Sequence, residues 1–457
     1  MLKWLSRTLI LGVFLCLVIL VNTGCSVLGI NAKAFSGGTT VTWLVRTDVN
    51  INPWEYKAVD EFEATHPNIH IKLVLVPSGA NFDQKLVTMQ VGWEPADVFS
   101  TWGNNSWADE VYRNFAADLT PYIKASNFSF NGMNQQLLDQ YSVNGHVYAI
   151  PFATGGSYTY YNVDMFKKAN LPMPPTNWDD PNWTWDTMLK DAQAMTVHGR
   201  SLNDRQYGMS DDLWPENANA MLFGGDYFQA STYKDGVVSA TTATDPIVEK
   251  SVQWKRDLMY KYQIAPLPAD ASLLNGFLSG KVGMSMTGVW GFWANKPATF
   301  HWAVAPLPHF SNDTKDVLFT DPWMMSKDSR HPKEAWTFIQ WLCDPAHGAK
   351  SYMEASGAVP PWSQLLPEWA ENTHKIMPSL SKDQLIQLAQ GSLDHGRESI
   401  NHLAISYGQF DSVISNVLSP VYSTGKVDPA TAMKDVQQQL QETIQKVGPV
   451  KPLSASH

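Results

Sequence analysis

The chain has 457 residues, 44% apolar and 17% charged, with 29 glycines and 28 prolines; this composition excludes disordered and collagen-like classes. A single core stops growing near about 250–300 residues, so at least two domains are expected. The formal net charge of −10 and the lack of any Lys/Arg-rich run predict no nucleic-acid partner.

Lys3 and Arg7 give the chain a basic start, and Leu9 to Val21 is an apolar run. That run falls short of the about 20 residues a membrane span needs and suits the h-region of an export signal, here residues 1–24. Asn22-Thr23-Gly24-Cys25 follows and resembles a bacterial lipobox, although Asn22 stands where an aliphatic residue is usual. Cys25 is therefore the expected lipidation site, and residues 25–39 a lipid-anchored tether on the outer face of the cell membrane. Of the 3 cysteines only Cys343 is left for the folded body, so no internal disulfide is expected, and no C-x-x-C pair suggests a metal.

Val41–Val45 reads as a strand, and Pro53 opens a helix with Ala58, Val59 and Phe62 on one face that stops at His66-Pro67. Ile69, Ile71, Leu73 and Leu75 alternate as in a half-buried strand. A helix over Asn81–Val91 and a strand over Ala96–Ser100 complete a parallel βαβαβ start, which makes the fold class α/β. Ligands of such sheets sit beyond the carboxyl ends of the strands, and those ends carry Arg46, Ser78, Trp102 and Asn104.

Farther on, Tyr158–Asn162 and Val282–Met286 read as strands, and Asp186–Thr196 and Pro246–Tyr262 as helices. Pro332 suits the first turn of a helix whose Ala335, Phe338, Ile339 and Leu342 share a face, with Asp344-Pro345 as its stop. Cys343 falls in that helix and is expected in the core. The Gln-rich 436–445 stretch is expected as the last element.

The run Phe277-Leu278-Ser279-Gly280-Lys281-Val282-Gly283-Met284-Ser285-Met286-Thr287-Gly288-Val289-Trp290 resembles the signature of family 1 extracellular solute-binding proteins, with Gly283 in place of the more usual alanine. Tyr160-Tyr161-Asn162, Trp183-Thr184-Trp185-Asp186, Lys333-Glu334-Ala335-Trp336 and Gly357-Ala358-Val359-Pro360 are similar to further family segments, in the same order. The resemblance implies a two-lobe periplasmic-binding-protein-like fold (type II), with a ligand cleft between lobes joined by crossover strands. Residues 40–150 and 315–365 would form the first lobe, 151–314 and 366–457 the second. It also implies a monomer, without catalysis or cofactor, that captures a carbohydrate, most often an oligosaccharide, and delivers it to the membrane subunits of an ABC importer.

A sugar ring offers an apolar face to an aromatic ring and a rim of hydroxyls to polar groups, each of which must be satisfied when buried. Of the 19 tryptophans, Trp290 is carried over from the family's Gly-x-Trp motif, Trp102 follows the third strand, and Trp323 lies at the expected return crossover. The polar candidates are Arg46, Asn104, Tyr158, Glu216, Asp321 and Arg397.

A secreted glycoside hydrolase would instead require two carboxyl groups across the scissile bond. The acidic pairs Asp179-Asp180 and Asp211-Asp212 are sequence neighbours, which generally point apart, and turn capping accounts for them. Neither a nucleophile elbow nor a zinc or nucleotide motif is present. A receptor for glycerol phosphate would want clustered basic groups, for which only Arg46 and Arg397 are candidates.

Overall fold

The computed structural model of the protein describes residues 38–47, 54–77, 81–101 and 106–448. The chain divides into Met1–Gly38 and a unit from Thr39 onward, and everything below concerns the second of these. The expected signal and the acyl site Cys25 lie outside the described residues.

The β-branched run at Thr39–Thr47 forms β1, whose Trp43 and Leu44 point to opposite faces and are both fully buried. It pairs in parallel with β2 (Ile69–Pro77) on one side and β3 (Val98–Phe99) on the other. The helix Trp54–Thr65 covers one face, packing Ala58 and Phe62 with Trp43 and Ile71. The helix Phe82–Val91 covers the other, packing Leu86 with Leu44, Val76 and Phe99, and the Asn81 side chain caps it by accepting from the Gln84 N–H at 2.9 Å. Because helices cover both faces, the simple alternation expected of β2 does not hold. Ile71 and Val76 are its buried residues, and Leu73 and Leu75 are only half-buried on the sheet edge.

A small hairpin, β4 (Ser142–Val143) with β5 (His146–Val147), precedes β6 (Ala149–Ala153). The second sheet is built from β7 (Ser157–Asn162), β8 (Tyr207–Asp211), β9 (Val282–Gly288) and β10 (Trp302–Ala305), in the order β10-β7-β9-β8. The chain then forms β11 (Asp316–Leu318) and β12 (Asp321–Met325). β12 runs antiparallel between β3 and β6, so the first sheet reads β2-β1-β3-β12-β6. A last short strand, β13 (Gly396–Glu398), pairs in parallel with β11.

The chain therefore passes from the first sheet to the second between Ala153 and Ser157, and re-enters the first between Leu318 and Asp321, coming from the β11–β13 pair. The two passages lie side by side. The Phe319 N–H donates to the Gly155 carbonyl at 2.8 Å, the Thr154 and Thr320 hydroxyls meet at 3.1 Å, and Asp316 accepts from the Ser157 N–H at 2.8 Å. Glycine is required here by space: a Cβ on Gly156 would come within 1.8 Å of the Asp316 carboxylate.

Helix Pro332–Cys343 begins with its proline and buries Ala335, Phe338, Ile339 and Leu342. Cys343 is fully buried beside them, and burial pushes its thiol far up. The tail ends in helices Tyr407–Thr424 and Pro429–Val447, which pack Ile414, Val436 and Leu440 with Val248 and Val252 of helix Pro246–Tyr260. The last helix is longer than 436–445 because Asp428 caps it, accepting from the Thr431 N–H at 3.0 Å, with Pro429 as the first residue. Among the described residues no helix is long and apolar enough to cross a membrane.

Candidate functional site

The carboxyl end of β1 carries Arg46 into a cavity of about 520 Å³ lined from both sheets. The first-sheet side adds Glu55 from the first turn of its helix, Asp321 and Trp323 from β12, and Tyr352 from helix Gly348–Ser356. The second-sheet side supplies Trp214, after β8, and Trp290 and Trp293, after β9. Phe319, from the return passage, and His402, from the tail, complete the floor.

Trp290 is placed by its motif. A Cβ on Gly288 would lie 2.2 Å from the Trp290 ring, so only glycine lets the indole fold back over the strand end. The ring meets Phe319 edge-on at 4.9 Å, and Trp214 stacks on the same phenylalanine at 6.4 Å and 16°. Both tryptophans, like Trp293, are half-buried and keep ring surface open. Trp323 differs: it is 1% exposed, stacked on Phe152 at 4.1 Å and met edge-on by Trp43 at 5.5 Å. It forms wall, and its ring is spent on packing.

The charged groups are held out of bulk water. Burial pushes the Asp321 carboxyl up to about 6; His402 and Arg46 oppose the shift, and Glu398 adds to it. Burial would lower His402, but a 2.6 Å hydrogen bond to Glu398 and the charges of Glu398 and Asp321 raise it. The same Glu398 oxygen accepts from the Thr320 N–H at 3.0 Å, which ties this pair to the return passage. Burial also raises Glu55.

Of the residues expected from sequence, Arg46, Trp290, Asp321 and Trp323 come together at this cavity. Trp102 and Asn104 lie outside the described residues. The other three are placed and engaged elsewhere. Tyr158 is fully buried on β7, a central strand of the second sheet, and its hydroxyl donates to Ser392 Oγ at 3.2 Å. Glu216 binds Lys255 Nζ at 3.0 Å and accepts from the Tyr422 hydroxyl; Lys255 also meets Asp211 at 3.2 Å. Arg397 pairs with Asp226 and lies over the Tyr233 ring at 3.8 Å.

The acidic neighbours are likewise structural. Asp180 accepts from the Asn182 N–H at 2.9 Å in a turn, and Asp212 accepts from the Ser285 hydroxyl at 2.8 Å. Sequence reasoning missed Trp54, Glu55, Trp214, Trp293, Tyr352 and His402. Trp214 stands two residues from the candidate Glu216, and Trp293 is one turn beyond Trp290. Nothing local marked Tyr352 or His402.

A larger cavity, about 860 Å³, is lined by helices Trp185–Met195 and Pro246–Tyr260 together with loop residues of 179–184 and 309–312. Its Trp185, Phe310 and Trp254 rings pack on one another, with Trp185 and Phe310 stacked at 5.4 Å and Trp254 edge-on to Phe310 at 5.1 Å. Among the described residues no group of His, Cys, Asp and Glu could hold a metal ion.

The model of the bacterial extracellular solute-binding protein family matches residues 48–349. A binding protein of Brucella abortus is 25% identical over 343 residues, 74% of this chain and 79% of that protein. The lactose-binding protein of Rhizobium radiobacter is 23% identical over 323 residues, 68% of this chain and 71% of its own. The fold is shared with an ABC substrate-binding protein from Listeria monocytogenes solved in complex with cycloalternan. There the TM-score is 0.72 at 20% identity, over 89% of this chain and 99% of that one. Since the family pattern runs through well over half of the sequence and the same two-sheet architecture recurs in a solved substrate-binding protein, this chain belongs to the bacterial extracellular solute-binding proteins.

Proposed function

We propose that the protein captures a carbohydrate, an oligosaccharide, in the cavity between its two sheets and hands it to the membrane subunits of an ABC importer. The observation that carries this reading is the division of labour around the cavity. Half-buried Trp214, Trp290 and Trp293 face it from one sheet, and Arg46, Glu55 and Asp321 from the other. Indole rings cover the C–H face of a sugar, and the charged groups take its hydroxyls in a site with little water. The paired passages at Gly155 and Phe319 form a hinge about which the lobes close on the ligand. The protein acts by binding, without catalysis, as a monomer held outside the cell by a lipid on Cys25.

A tryptophan-fluorescence and thermal-shift panel of oligosaccharides tests the reading. Saturable stabilisation without new reducing ends is the expected result, and turnover of a glycan identifies an enzyme instead. Intact-mass analysis of the membrane fraction tests the anchor, since a mature protein without acyl mass at Cys25 contradicts it.

A further inference from the structure

Glu55 occupies the second position of helix Trp54–Thr65, where a carboxylate is normally a solvated complement to the helix dipole. Here it is not solvated. The residue is 4% exposed, it lines the cavity, and its Oε2 has no hydrogen-bond partner among the described residues. Burying a carboxylate oxygen without a donor is costly, so a group kept in this state calls for a partner that arrives from outside.

The neighbouring charges narrow what that partner is. Arg46, Asp321 and Tyr352 line the same cavity as Glu55, so two carboxylates and one guanidinium share it with one phenol. Arg46 also acts on Asp321. Burial raises the Glu55 carboxyl, and a backbone hydrogen bond lowers it only in part. A ligand group set against Glu55 must therefore donate a hydrogen bond, as a sugar hydroxyl does. A uronate or phosphate there would bring like charge against a desolvated carboxylate, where repulsion is far stronger than in water.

We infer that Glu55 is the specificity-determining residue of this cavity, accepting from the hydroxyls of a neutral saccharide and rejecting acidic sugars. The inference rests on the carbohydrate reading above. It goes further by naming the charge class of the ligand and the residue that sets it. Asp321, with Arg46 and His402 acting against its charge, is the less discriminating of the two acids.

The test is calorimetric titration of the full-length protein in a non-glycosidic detergent. Neutral di- to tetrasaccharides of glucose, galactose, mannose and xylose are compared with trigalacturonate. The wild-type protein is expected to bind at least one neutral sugar about 100-fold or more tighter than trigalacturonate. E55Q is expected to weaken the neutral sugar about tenfold while trigalacturonate stays level or gains, so the selectivity ratio falls. E55D, which keeps the charge, should retain the rejection even where affinity drops, and melting curves of both variants check the fold. Equal wild-type binding of trigalacturonate and neutral sugars overturns the inference, as does an unchanged ratio in folded E55Q. If no saccharide of either class binds, the carbohydrate reading itself fails.

Discussion

The hydroxyls of Thr154 and Thr320 meet at 3.1 Å where the chain leaves the first sheet and where it returns to it. With the Phe319–Gly155 backbone bond and the Ser157 bond to Asp316, they lock the two passages into one narrow strip. Both the cavity floor, through Phe319, and the Glu398–His402 pair, through Thr320, hang from that strip. The closing motion proposed above would have to work through it.

Substitution of Gly156 by alanine tests the strip. The added Cβ would meet Asp316 at 1.8 Å and the Ser392 Cβ at 2.8 Å, and neither neighbour is free to withdraw. Overpacking of this kind costs about 1–3 kcal/mol, to be read as a lower urea midpoint with an unchanged slope. An unaltered midpoint would mean that the passages are looser than their hydrogen bonds imply.

Two tryptophans of the same cavity should respond in opposite ways. Trp290→Ala removes an open ring and is expected to weaken oligosaccharide binding about tenfold or more, with little change in melting temperature. Trp323→Ala empties a fully packed site and is expected to cost about 3–5 kcal/mol of stability. Fluorescence titration beside thermal melts of both variants distinguishes the two roles.

The Lys255 cluster gives a control outside the cavity. Lys255 holds Asp211 at 3.2 Å and Glu216 at 3.0 Å, and burial pushes the Asp211 carboxyl up to about 6. Lys255→Met strands two acids in the second-sheet core and is expected to cost about 3–5 kcal/mol at pH 7. The affinity of protein that remains folded should not change. A large loss of affinity in folded Lys255→Met would bring Glu216 back to the ligand.

Affinity should depend on pH through Asp321, whose surroundings are Arg46, Glu398, His402 and Tyr352. Burial holds its carboxyl up at about 6. The ionised form accepts hydroxyl bonds, so the ligand favours it, and affinity is full above pH 6 and falls below it. The limit is about tenfold per pH unit for one linked proton. The same raised value means that Asp321 costs stability as pH rises from its unfolded value through 6, because the folded state holds the proton longer. Asp321→Asn should flatten both effects, as read by calorimetry and melting at pH 5 and pH 8.

Much of the architecture was legible because its signals are local. Pro246 and Pro332 each mark the first residue of a helix, and Gly288 with Trp290 marks the strand end that builds the cavity. The site was legible only in part because what occupies a polar side chain is tertiary. Glu216, Arg397 and Tyr158 find Lys255, Asp226 and Ser392 at separations of 39, 171 and 234 residues. No window of sequence exposes such partners. Glu55 carries no signal of its own in the sequence: it stands as a helix-start acid, and only its burial beside the cavity sets it apart. Trp214 was overlooked for Glu216 because a loop's direction decides which of its residues faces the ligand.

The cavity between the two sheets is proposed to bind a saccharide without altering it. Calorimetric titration of the full-length protein against the neutral oligosaccharide panel, with a reducing-end assay on the same samples, tests it most directly. Saturable one-site binding of at least one sugar is expected, weakened about tenfold or more in Trp290→Ala, with no new reducing ends. Release of reducing ends, or binding that Trp290→Ala leaves untouched, would contradict it.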